Sequence, residues 1–145
     1  MVKKMQMIYT TGQQKIKIYY FSIEYILKMV QNQKWFNKKD IKKYPSIMID
    51  NLHGYVLPHA GTSHSGEILS HSLRFKPKKD FKYILIIYLP SNKEPNVGNE
   101  YHEYVVPSNT LKLFYPNKTY IGYNMLTTKP NLSHLNKNNT LYVIS

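Results

Sequence analysis

The segment 54–66 constrains the fold more than any other part of this chain, because it specifies a strand, a sharp turn and a helix start in succession. It reads Gly-Tyr-Val-Leu-Pro-His-Ala-Gly-Thr-Ser-His-Ser-Gly. The apolar run ends at Pro58, glycines punctuate the turn, and the hydroxyl side chains that follow are typical of a helix N-cap. His59 is therefore expected at the carboxyl end of a strand, where open α/β sheets place their ligands.

The residues that follow this segment complete a strand–helix–strand unit. Apolar residues at helical spacing predict a helix over residues 65–75. Residues 81–89 are rich in Ile and Tyr and apolar on both faces, which predicts a strand inside a covered sheet. The sequence thus predicts an α/β fold, a central mixed sheet flanked by helices, with one βαβ unit across residues 54–89 and a right-handed parallel crossover.

The rest of the chain shows weaker signals. Apolar spacing predicts a helix over residues 17–33, and the polar stretch 131–139 is typical of a loop. Short apolar runs predict further strands at residues 101–106, 111–115, 120–125 and 141–144, and residues 47–49 are expected to form either a short strand or the approach to the next one. The length of 145 residues favours a single domain, 1–145. An apolar strand at the end of the sequence favours self-association, because unpaired strand edges invite pairing.

The cysteine count restricts both chemistry and compartment. The sequence contains no cysteine, which excludes disulfides, thiolate metal ligands and cysteine nucleophiles. A reducing compartment is then the default, so we expect a cytoplasmic protein. No segment has the roughly 18 consecutive apolar residues that a membrane span needs, and no export signal is expected at the N-terminus.

The charge balance raises the question of a polyanionic partner. The formal net charge is +12, but nearly all basic residues are lysines and Arg74 is the only arginine. Because base-edge recognition relies on arginine, specific DNA readout is not expected. The scattered lysines favour a solvated basic surface, with non-specific nucleic-acid binding as the alternative.

The strand–turn–helix segment resembles the Memo family on three stretches: Pro58-His59-Ala60-Gly61 with Ser65-Gly66, then Ser70-His71-Ser72, then Pro90-Ser91. The resemblance implies a fold like that of class III extradiol dioxygenases, with a metal cleft at the strand ends. It places the family's first metal-ligand histidine at His59 and the second at Asn92. The family's third ligand belongs to a C-terminal part without counterpart in this sequence, so the resemblance implies a degenerate metal site.

Other histidines could complete a site around His59. His64 follows closely in the same segment, and His102 stands beside Glu100 and Glu103, which could approach the same rim. Such a site would need about three protein ligands and would suit iron or copper. The competing interpretations are a structural His59 held by turn hydrogen bonds, a capping or exposed His64, and a solvated strand at residues 100–103.

The leading functional expectation is a Memo-like protein with a degenerate metal site, a non-catalytic binding or accessory protein that contacts other proteins through a tyrosine-rich surface. Whether it is an enzyme stays open, and no catalytic residue or cofactor is assigned. The first alternative is an iron- or copper-dependent oxidoreductase or dioxygenase that uses His59, with His64 or His102. The second is a basic protein that binds polyanions.

Overall fold

The computed structural model describes residues 36–145 in full and residues 5–11 and 14–20 as backbone. Two helices are present in this part of the chain, α1 (Thr62–Leu73) and α2 (His102–Phe114), with a short 3-10 helix at Lys38–Asp40. The strands are β1 (Met5–Thr11), β2 (Gln14–Tyr20), β3 (Ile47–Ile49), β4 (Gly54–Val56), β5 (Phe75–Pro77), β6 (Tyr83–Tyr88), β7 (Thr119–Asn124) and β8 (Thr140–Ile144).

Four parallel strands form the central sheet, in the order β4–β8–β6–β7. The register pairs Tyr55 with Val143, and Leu85 with both Tyr142 and Ile121. Parallel neighbours need a crossover, and α2 supplies it between β6 and β7. α1 lies between β4 and β6 in the chain, and β8 is inserted between these two strands in the sheet. The predicted α/β fold and its strand–helix–strand unit at residues 54–89 are confirmed. The central sheet is parallel in all its pairings where a mixed sheet was expected, and the helix is Thr62–Leu73 rather than residues 65–75.

Two smaller pairs of strands accompany the central sheet. β3 pairs in parallel with β5, matching Ile47 with Phe75. β1 and β2 form an antiparallel pair that matches Met5 with Tyr20. The predicted helix over residues 17–33 is wrong for residues 17–20, which belong to β2, and the rest of it lies outside the described residues.

The core lies between the central sheet and the two helices. α1 contributes Leu69 and Leu73, and α2 contributes Leu111, all completely buried. These side chains meet the inner strands β6 and β8 at Ile84 and Val143. Burying each such side chain contributes about 1.5–3 kcal/mol, so this cluster ties the two central strands to both helices.

The predicted strands at residues 101–106 and 111–115 are wrong, because these residues form α2 and the turn after it. Tyr and Val residues suggested a strand, but tertiary packing overrides such propensities. The buried residues of the helix are Glu103, Pro107, Ser108, Thr110 and Leu111. They recur at three- and four-residue spacing, which is the pattern of one helix face. Pro107 stands inside the helix, and its missing N–H leaves the backbone carbonyl of Glu103 without the usual helical donor.

The terminal strand β8 occupies an inner position, paired with β4 on one side and β6 on the other. Self-association was expected because this strand would have an unpaired edge. Both edges of β8 are paired within the sheet, so that reason for self-association does not hold. The predicted strands at residues 47–49, 120–125 and 141–144 are confirmed within one residue at each end. No helix in the described part of the chain is long and apolar enough to cross a membrane.

Candidate metal centre

The loops at the carboxyl edge of the central sheet carry the candidate site. His59 follows β4 after Leu57, whose backbone N–H extends the sheet by donating to the Ile144 carbonyl at 2.9 Å. The turn after His59 is held by Ser65 Oγ, which donates to the Ala60 carbonyl at 2.7 Å. The loop after β6 ends at α2, whose first residue is His102. Both βα connections thus reach the same edge of the sheet, where parallel sheets bind ligands.

Three metal-ligating side chains converge at this edge: His59, His102 and Glu103. Their ligand atoms all lie within 4.8 Å of one another. The two imidazole rings are 5.3 Å apart between centroids and inclined at 62°. His102 Nε2 lies 3.3 Å from Glu103 Oε1. The site therefore offers two nitrogen donors and one carboxylate without any rearrangement of the backbone.

Glu103 is the buried member of the group, with 0% of its residue surface exposed. Its Oε1 accepts hydrogen bonds from the backbone N–H of Ser91, at 2.8 Å, and from the Ser91 hydroxyl. Burial raises the pKa of Glu103, but the two Ser91 donors and the neighbouring His102 outweigh burial, so the net pKa lies below its usual value. The carboxylate is therefore charged at neutral pH.

The second oxygen of this carboxylate, Oε2, is buried and has no hydrogen-bond partner in the described part of the chain. A buried charged oxygen without a partner is costly, because the lost hydration is not replaced. A cation at the centre of the group would replace that hydration. The unpartnered Oε2 is thus an independent indication of a ligand site, beyond the grouping of the three side chains.

The loop between β6 and α2 positions His102. Asn96 Oδ1 accepts the backbone N–H of His102 at 2.9 Å, and Asn96 Nδ2 lies 2.6 Å from His102 Nδ1. A bridge between Val97 and Glu100 folds the loop back on itself, and Gly98 takes the positive φ of 62° that its turn requires. Asn96 therefore holds His102 at two points, its backbone and its ring, before any ligand arrives.

The structure brings together two of the three histidines proposed as metal ligands. His59 and His102 are in the group, whereas His64 is not. His64 lies exposed in the first turn of α1, where its backbone N–H donates to the Gly61 carbonyl and its Nδ1 lies 3.1 Å from Ser63 Oγ. This agrees with the competing interpretation of His64 as part of the helix start.

The other titratable residues that the sequence or its motif singled out lie outside the group of three ligands. The Glu100 backbone closes the loop before α2. His71 stacks on Tyr44 with ring centroids 4.1 Å apart. His53 precedes β4 and so lies at the opposite edge of the sheet. The interpretation of residues 100–103 as a solvated strand is wrong, because Glu103 is buried in α2.

No protein-family model, no curated protein and no solved structure matches this chain. The chemistry of the site therefore has to be judged from its own donor set. Two imidazoles and one carboxylate with open positions are the donors of non-haem iron(II) oxygenases. The same donors also occur in catalytic zinc sites.

Proposed function

We propose that this protein binds one divalent transition-metal ion through His59, His102 and Glu103 and acts as a metal-dependent oxidoreductase. Two observations carry the proposal: a Glu103 carboxylate oxygen and the nitrogens of two imidazoles lie within 4.8 Å of one another, and Oε2 of that carboxylate is buried without a partner among the described residues. A bound cation would satisfy this oxygen and use both nitrogen donors. The other arrangements weighed from the sequence, with Asn92 or His64 as ligands, lack such an observation.

The donor set favours iron among the redox metals. The resemblance of residues 54–66 to the Memo family implies a dioxygenase-like fold, and so favours iron or copper over zinc. Two histidines and one carboxylate with open positions are the donor set typical of non-haem iron(II), so we favour iron(II). When bound, iron(II) would supply open coordination positions at which dioxygen can be activated.

The protein residues have distinct roles in this proposal. His59 supplies a donor from the turn after β4, and His102 and Glu103 supply adjacent donors from the first turn of α2. Ser91 orients the carboxylate by occupying Oε1, which leaves Oε2 for the cation. Asn96 orients the His102 ring. Such outer contacts commonly change metal affinity about 10–100-fold when they are removed.

The expectation of a degenerate, non-catalytic binding protein remains the alternative, and metal content separates it from our proposal. The protein should be purified without chelators and its metal content measured by mass spectrometry. Iron(II) should then be titrated into the apoprotein without oxygen. We expect about one equivalent to bind, because the three donors form one mononuclear site.

Three variants test the assignment, His59→Ala, His102→Ala and Glu103→Gln, against His53→Ala and His134→Ala as controls outside the group. We expect each site variant to lose stoichiometric iron and both controls to keep it. Unchanged metal binding in His59→Ala, or no binding by the unmodified protein, would contradict the proposal. Circular dichroism of each variant separates loss of the site from loss of the fold.

The oxidoreductase activity needs its own measurement. Oxygen uptake by the iron-loaded protein should be followed with catechol as the probe, with the iron-treated His59→Ala variant as the control. We expect uptake only with the intact site. Metal binding without oxygen uptake would support the metal centre and would contradict oxidation of catechol by this protein.

A further inference from the structure

A cavity lies at the amino edge of the central sheet, on the side opposite the candidate metal centre. Its volume is about 580 Å³, and it is bounded by the residues that precede β4, β6 and β8 and by the ends of β3 and β5. The lining residues that bear on its chemistry are Asn51, Lys78, Lys79, Phe81, Lys137 and Asn138. A cavity of this size can hold a small organic molecule.

The charge of the cavity is positive and only partly compensated. Lys78 is paired with Asp50 at 3.1 Å, and Asp80 is paired with Lys118 at 2.9 Å. Lys79 donates at 2.5 Å to an uncharged acceptor, Asn138 Oδ1. Lys137 has no ion pair or side-chain hydrogen bond with any residue in the described part of the chain. Two ammonium groups at the cavity, those of Lys79 and Lys137, therefore lack a carboxylate partner among the described residues.

The turn that carries Lys137 is fixed by its asparagines. Asn136 Oδ1 accepts the backbone N–H of Asn138 at 2.8 Å. Asn139 Oδ1 accepts the backbone N–H of Asn136 at 2.9 Å, and the Asn139 amide donates to the His134 carbonyl. Hydrogen bonds on both sides of residues 136–139 thus order the backbone of this turn, which carries Lys137 and Asn138 at the rim. Prior ordering of this kind lowers the entropy cost of binding.

The wall of the cavity facing the core is apolar. Its members are Ile49, Leu52, Pro77, Phe81 and Leu141. Leu52 and Leu141 are buried residues of the hydrophobic core, and Phe81 packs against that core. The cavity therefore combines an apolar wall with a basic, amide-bearing rim, the arrangement expected of a site that holds a small molecule with one charged end.

We propose that this cavity binds the phosphate monoester of a small organic molecule, with the phosphate on Lys79 and Lys137 and the organic part against Pro77 and Phe81. A phosphate monoester carries about −1.5 to −2 charge at neutral pH, which matches two unpaired ammonium groups. The Asn51 and Asn138 amides can donate to the phosphate oxygens. This site is separate from the metal centre, so each can fail without the other.

Calorimetric titration with phenyl phosphate, inorganic phosphate and phenol tests the proposal. We expect phenyl phosphate to bind more tightly than inorganic phosphate, because only the ester covers the apolar wall, and phenol to show no binding. The double variant Lys79→Gln/Lys137→Gln should weaken phenyl phosphate binding at least about tenfold. The matched control Lys39→Gln/Lys129→Gln removes the same charge from exposed positions away from the cavity and should leave binding unchanged.

Several results would overturn the inference. Equal weakening by both double variants would show a diffuse charge effect, and absence of phenyl phosphate binding at millimolar concentration would remove the site. A single-stranded oligonucleotide that binds more tightly than phenyl phosphate, and is lost in the Lys79→Gln/Lys137→Gln variant, would make the occupant a nucleic acid. His59→Ala should leave phenyl phosphate binding unchanged, and a change there would contradict the separation of the two sites.

Discussion

Asn96 contacts His102 twice, once at its backbone and once at its ring. Asn96 Oδ1 accepts the His102 backbone N–H at 2.9 Å, which leaves Nδ2 as the donor to His102 Nδ1 at 2.6 Å. A neutral ring that accepts at Nδ1 carries its proton on Nε2. That proton faces Glu103 Oε1, 3.3 Å away. Without a metal, Asn96 therefore stabilises the tautomer in which Nε2 is protonated.

Asn96→Asp is expected to tighten metal binding. One oxygen of the introduced carboxylate can still accept the His102 backbone N–H, and the other oxygen favours a proton on Nδ1. The Nε2 lone pair then becomes available for a metal, as in other carboxylate–histidine–metal arrangements. We expect about tenfold tighter binding of iron(II) or zinc(II), measured by competition with a chelating dye.

Asn131→Asp is the matched control, because it adds the same charge in a distant loop where Asn131 Oδ1 likewise accepts from Ser133. It should change metal affinity by less than about twofold. Equal or weaker metal binding by Asn96→Asp would contradict the tautomer argument and the role of His102 Nε2 as a ligand.

Ser91→Ala is expected to lower the stability at neutral pH and to reduce the part of the stability that is lost in acid. The pKa of Glu103 is lower in the folded protein than its usual value of 4.5. Its contribution to stability is therefore present above pH 4.5 and is lost as the pH falls through the lowered pKa. Without the Ser91 hydroxyl the pKa of Glu103 rises, so the carboxylate contributes less stability at neutral pH, less is lost in acid, and the two stability curves converge as the pH falls.

Urea unfolding at a series of pH values between neutral and acid measures this effect. At neutral pH we expect Ser91→Ala to lower the free energy of unfolding by about 1–3 kcal/mol, because a buried carboxylate loses one of its donors. Ser133→Ala, which removes an exposed hydroxyl, serves as the control. If the free energy of unfolding of Ser91→Ala differs from that of the unmodified protein by the same amount at every pH, the hydroxyl does not set the pKa of Glu103.

The fold around β4, α1 and β6 could be predicted because local pattern and tertiary packing agree there. Pro58 marks the end of the strand, and α1 begins soon after it; the N-cap is Gly61 without a side-chain cap, so the expected hydroxyl cap is not formed. In α2 the local pattern and the tertiary packing disagree. Residues 101–106 have the composition of a strand, but Glu103, Pro107 and Leu111 form the buried face of a helix. The inner position of β8 is a long-range pairing, and no local signal in residues 141–144 specifies it.

The candidate site was only partly predictable for the same reason. His59 is positioned by a local motif, so its place at the carboxyl edge follows from the sequence. His102 and Glu103 reach this edge because α2 begins there, and that requires the helix to be recognised first. Reading residues 103–111 at helical spacing would have placed Glu103 among buried residues and indicated a charged group with a special role.

His71→Gln is expected to reduce the pH dependence of stability in weakly acidic solution. Burial lowers the pKa of His71 below 6.5; Glu67 raises it, while Arg74 and Lys43 lower it further. The unfolded chain therefore binds a proton more readily than the folded protein, and stability falls as the pH drops below 6.5. The glutamine does not titrate, so the free energy of unfolding should decline less steeply there. His134→Gln, in an exposed loop, is the control. If the free energy of unfolding of His71→Gln falls with pH as steeply as that of the unmodified protein, His71 is not the group that causes the loss.

Gly66→Ala is expected to destabilise the protein although alanine favours helices. Gly66 lies in α1 against Phe36, and an added Cβ would overlap Phe36 Cδ1 and lie 2.6 Å from Cγ. Phe36 is anchored through its backbone N–H to the Ser63 carbonyl at 3.1 Å, which limits its retreat. Overpacking of this kind costs about 1–3 kcal/mol, against a gain of about 1 kcal/mol in helix propensity.

A double-mutant cycle with Phe36→Ala isolates the contact, because without the ring Gly66→Ala should become neutral or stabilising. Thermal unfolding of the four proteins measures it, and a stabilising Gly66→Ala in the presence of Phe36 would show that the ring moves aside freely.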